Sequence, residues 1–131
     1  MRPAALALAA LLLAAAGEAP PGGILSWCGG GVTGGGGGLR IAPDGSVTQL
    51  RRDRAGAPLV ETPAPERRAD YARLAAMLDA AGFTRLPRGT PSNMTCSLAW
   101  RDGPRNHEVL WPIGQPPAAL GPILRDIEAL R

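Results

Sequence analysis

The sequence predicts an α+β domain: an antiparallel sheet of four to five strands with two helices packed on one face, in the order β-β-β-α-β-β-α. Three observations carry this. Short segments alternate apolar and polar residues, two others repeat apolar residues at helical spacing, and tight turns join the alternating segments in pairs. Tight turns force antiparallel pairing, and an amphipathic helix must bury its stripe against something.

In chain order, Ile24-Leu25-Ser26-Trp27-Cys28 is an apolar run bounded by glycines, which suits a strand. Residues 29–38 are almost pure glycine, broken by Val32 and Thr33. Residues 39–52 form a hairpin around Pro43-Asp44-Gly45, where proline presets φ and glycine accepts a positive φ. Residues 53–65 are rich in proline and form a loop. Pro65 stands at a favourable first helical position, with Glu66 and Asp70 early in the helix. Tyr71, Leu74, Leu78 and Ala81 make its apolar stripe, and Gly82 ends it.

Residues 83–92 are a connector. Met94, Cys96, Leu98 and Trp100 then share one strand face. Asp102-Gly103-Pro104 turns the chain into a second strand with His107, Val109 and Trp111 on one face. Trp100 and Trp111 are expected side by side across this hairpin, as core or lining a ligand face with Trp27. A helical pattern from Pro117 carries Leu120, Ile123, Leu124, Ile127 and Leu130. Pro122 divides it into a short first turn and a main helix.

The N-terminus indicates export. Arg2 precedes an uncharged Ala/Leu run from Ala4 to Ala16, and Ala14 and Ala16 supply a small-residue cleavage pattern. The run is shorter than the ~20 apolar residues that span a bilayer. Residues 1–16 therefore read as a signal peptide, 17–23 as a flexible leader and 24–131 as a single domain. No cysteine follows the apolar run directly, so no lipid anchor is expected. All basic residues are arginine, and with abundant Ala, Gly and Pro this is the bias of a GC-rich bacterial genome. The expected location is the periplasm or the exterior. Export favours one bridge, Cys28 to Cys96, over two buried free thiols.

Several chemistries lack their residues. Gly29, Gly31 and Gly34 fit G-x-G-x-x-G, but a strand rather than a phosphate-binding helix follows. His107 is the one histidine, and it lies in a strand beside Glu108. It reads as a partly buried strand residue, leaving no catalytic triad and no zinc spacing. No catalytic residue, metal or cofactor is expected. The net charge is +3 and the arginines are scattered, which argues against a nucleic-acid partner. After signal cleavage no membrane association is expected. The glycine run is either a spacer between strands or a partner contact, in which Gly29, Gly30, Gly31, Val32, Thr33 and Gly34 expose backbone to a bound protein.

Several short motifs together resemble the emfourin-like family of small bacterial proteins. These are Ser26 with Gly29-Gly30-Gly31, Asp44-Gly45, Gly82-Phe83 with Leu86-Pro87, and Asn93-Met94-Thr95. Asp102-Gly103, His107, Val109, Leu120 and Leu124 complete the pattern. The resemblance implies a non-enzymatic binding domain that inhibits a thermolysin-like (protealysin-type) metallopeptidase, a secreted or periplasmic partner. The other expectation is an envelope-associated structural protein with no specific ligand.

Overall fold

A computed structural model describes residues 22–131. The expected signal peptide, and the expected leader up to residue 21, lie outside the described residues. The strands are β1 (Gly23–Gly30), β2 (Gly35–Ile41), β3 (Ser46–Arg52), β4 (Val60–Arg68), β5 (Met94–Asp102) and β6 (Arg105–Pro112). Helix α1 (Tyr71–Ala80) lies between β4 and β5, and α2 (Gly121–Glu128) follows β6. All strands join one antiparallel sheet in the order β4-β3-β2-β1-β5-β6.

The α+β class and the antiparallel sheet with two helices are as expected, but the sheet has six strands rather than four to five. The additional strand is β4, where a proline-rich loop and the start of a helix were expected. Its residues Val60-Glu61-Thr62 pair with Arg51, Leu50 and Gln49, and Pro63 pairs with Thr48. Proline lacks an N–H, so it suits only a strand whose outer side is free. β4 is that edge strand. The helix consequently starts later, at Tyr71, with the Asp70 carboxylate accepting from the Arg73 amide at 3.1 Å.

The glycine run is a second correction. It is not a loop from residue 29 to 38: Gly29 and Gly30 belong to β1, Gly35 to Gly38 belong to β2, and only 31–34 turn. Gly23, assigned to the leader, is the first residue of β1.

One sheet face carries the helices. Ile24 and Ser26 of β1 lie on it with Leu39 and Ile41 of β2, Val47 of β3 and Leu98 and Trp100 of β5. Leu74 and Leu78 of α1 and Ile123 and Ile127 of α2 complete this core. Trp100 and Trp111 are both core residues, but they are not neighbours. The register sets Trp100 opposite His107 and Trp111 opposite Cys96, four positions apart along the ladder. His107 Nε2 lies 2.8 Å from the Leu86 carbonyl oxygen, and its ring meets Phe83 edge-on, so it is a structural strand residue.

Polar groups close the end of the sheet near Asp102. The Tyr71 hydroxyl donates to Asp102 at 3.0 Å and accepts from the Trp100 indole N–H at 3.1 Å. Arg105 grips Asp79 with two bonds of 3.0 Å and lies over the Trp100 ring. In the β2–β3 turn, Asp44 accepts from the hydroxyl and the amide of Ser46, which holds its carboxyl below the usual range.

Candidate functional site

At the opposite end of the sheet, β1 and β2 form a hairpin with the turn Gly31-Val32-Thr33-Gly34. Gly31 and Gly34 adopt φ of 71° and 69°, a region closed to most side chains. The turn is tied to both flanks. Gly31 donates its amide to the Asn93 carbonyl at 2.7 Å, and the Thr33 carbonyl accepts from Ala55 at 2.8 Å. Thr33 also accepts the Gly35 amide on its hydroxyl at 3.2 Å.

Below the turn the hairpin is braced on both faces. On the helix side, Cys28 and Cys96 form the expected disulfide, with Cα atoms 4.0 Å apart. The Gly31–Asn93 bond sets the alternation of the β1–β5 ladder, which makes Cys28–Cys96 a non-hydrogen-bonded pair, the closer type. On the other face the Trp27 indole lies across Gly29 and Gly36. A Cβ there would stand 2.9 Å from its Nε1 and 2.8 Å from its Cζ2, respectively. Arg52 covers the ring at 5.9 Å and donates to the Ala57 carbonyl at 3.1 Å. The glycines thus let an indole and the neighbouring backbones approach where side chains would not fit.

Gly29, Gly30, Gly31, Val32, Thr33 and Gly34, the residues singled out as a partner contact, are brought together as one continuous hairpin end. Val32 at its tip is fully exposed, at 106% of its reference area. Sequence reasoning missed its company. Leu59, Val60, Met94 and Ile113 are the other large apolar residues exposed among those described. All four lie at the hairpin end: Met94 pairs with Gly30, Ile113 donates to the Met94 carbonyl, and Val60 pairs with Arg51. The available signal was that all four stand at strand ends, next to turns. Arg51, Arg52 and Arg54 border this end, and only Arg51 holds an acid, Asp53 at 3.4 Å.

Among the described residues, no group of three or more His, Cys, Asp or Glu side chains gathers at metal-binding distance. No described helix is long and apolar enough to cross a membrane. Comparison with known proteins finds no family model that matches this chain and no curated protein that matches it.

Proposed function

We propose that this chain is an exported, non-enzymatic binding domain that inhibits a secreted or periplasmic thermolysin-like metallopeptidase through its glycine hairpin. The observation that carries the reading is Val32, fully exposed on a turn that hydrogen bonds and a nearby disulfide hold in place. A lone exposed aliphatic residue needs no explanation, but this one tops a braced hairpin and four other exposed apolar residues lie at the same end. Burying a valine in a partner's pocket contributes about 1.5–3 kcal/mol. A turn ordered beforehand loses little entropy on binding, so more of that gain appears as affinity. The class of partner rests on the resemblance carried by Gly29-Gly30-Gly31, Asp44-Gly45 and Asn93-Met94-Thr95.

The test is titration of a thermolysin-like metallopeptidase with the exported protein. Inhibition at about micromolar concentration or below supports the reading. Full peptidase activity at that concentration removes the inhibitor assignment and favours a structural role in the envelope.

A further inference from the structure

The helices do not cover the whole of their sheet face. Beyond their reach, β2, β3 and β4 form the floor of an open groove of about 560 Å³. Its floor is two rows of cross-strand neighbours, Gly37–Arg51–Val60 and Leu39–Gln49–Thr62. Arg131, just past α2, forms the wall, and its main-chain oxygen accepts from Arg67.

Gly37 marks this groove as open for a reason other than backbone packing. A Cβ on Gly35, Gly36 or Gly38 would collide with backbone of an adjoining strand or loop. A Cβ on Gly37 would meet one atom within 4 Å, the Leu50 carbonyl oxygen at 3.3 Å. Its φ is not positive either. Glycine in a strand interior weakens the strand, and it marks places where a ligand or another backbone comes close. A side chain here would project into the groove and fill it.

We infer that this groove is a binding site for a carboxylate attached to a short branched aliphatic group. Val60 supplies the exposed apolar surface with the buried Leu39 beneath it, Gln49 and Thr62 supply hydrogen bonds, and Arg51 and Arg131 supply the positive charge. Both guanidiniums already hold carboxylates, Asp53 at 3.4 Å and Glu128 at 2.6 Å. Exposed pairs of this kind contribute little, so an incoming carboxylate replaces them at small cost. The volume falls within the ~300–1,000 Å³ of small-molecule sites. A free branched acid and the C-terminus of a peptide share this chemistry.

The test is amide NMR of the exported protein during titration with N-acetyl-valine, with a tetrapeptide ending in a free valine carboxylate, and with the primary amide of each. Saturable shifts at Gly37, Gln49 and Thr62 are expected with the carboxylates at millimolar concentration. The amides should bind about tenfold more weakly, as should the Arg51→Ala/Arg131→Ala variant. Gly37→Val should abolish the response while leaving the unfolding midpoint unchanged or raised. Tighter binding of the tetrapeptide assigns a chain end as ligand, and equal binding assigns the free acid. The inference is overturned by no saturable shift at about 10 mM of either carboxylate. An equal response to the amides, or undiminished binding by a folded Gly37→Val, overturns it as well.

Discussion

Glycine does different work at adjacent positions of β2. A Cβ on Gly38 would overlap the Ser26 carbonyl oxygen across the β1–β2 ladder, whereas one on Gly37 meets a single atom at 3.3 Å. Gly38→Ala should therefore destabilise the domain by about 1–3 kcal/mol, the usual range for overpacking. Gly37→Ala should be near neutral or stabilising, because it removes backbone freedom from the unfolded chain. Denaturant midpoints measured side by side check the contrast; equal losses would show that the run is needed only for flexibility. Tyr71 illustrates a polar group with a similarly specific place. Burial pushes its hydroxyl above the usual range, the Trp100 N–H opposes this, and Asp102 adds to it. A raised folded value means that the fold favours neutral tyrosine. That stability is present below the unfolded value of about 10 and is lost as pH rises through the folded one. Tyr71→Phe should show less alkaline destabilisation than the wild type. At neutral pH it should lose about 1–3 kcal/mol, because the buried Trp100 N–H loses its acceptor. Thermal unfolding of both proteins between neutral and strongly alkaline pH reads both effects.

At the scale of elements, the periodic segments were legible and the aperiodic ones were not. Cys96 to Trp100 alternates because one face of β5 is core, and Tyr71 to Leu78 repeats because one side of α1 is. β4 contributes one buried apolar residue, Ala64, and its Pro63 and Pro65 carry the local signal of a loop. Its pairing comes from β3 rather than from its own composition. The same prolines lack the N–H groups that an incoming strand would need, which protects the edge. On the far edge, the Arg88 carbonyl accepts from Leu110, so the connector occupies part of β6. The turn of the glycine hairpin was legible as a break between two strands. Its strand pairing was not, because glycine has no side chain to alternate. The disulfide joins strands whose cysteines are separated by 68 positions. In the chain-entropy model, closing such a loop stabilises by about 4 kcal/mol. The Cys28→Ala/Cys96→Ala variant should lose roughly that much in denaturant unfolding; an unchanged midpoint would leave the bridge without a stabilising role.

For the whole molecule, the Tyr71–Asp102–Trp100 network and the Arg105–Asp79 pair lie towards one end, and the exposed apolar residues lie at the other. Mass spectrometry of protein recovered from the periplasm or medium should find an N-terminus near Gly17; a cytosolic product that retains Met1 would remove the compartment on which both the disulfide and the partner depend. Val32 can be altered without touching the fold, since its side chain makes no packing contribution at full exposure. The most direct measurement is the inhibition constant of Val32→Asp against a thermolysin-like metallopeptidase, beside wild type and a Gly103→Asn control at the opposite end. Binding through the hairpin tip predicts at least about a tenfold loss for Val32→Asp, about 1.4 kcal/mol, with the control unchanged and all three proteins equally stable. Equal inhibition by wild type and Val32→Asp would contradict it.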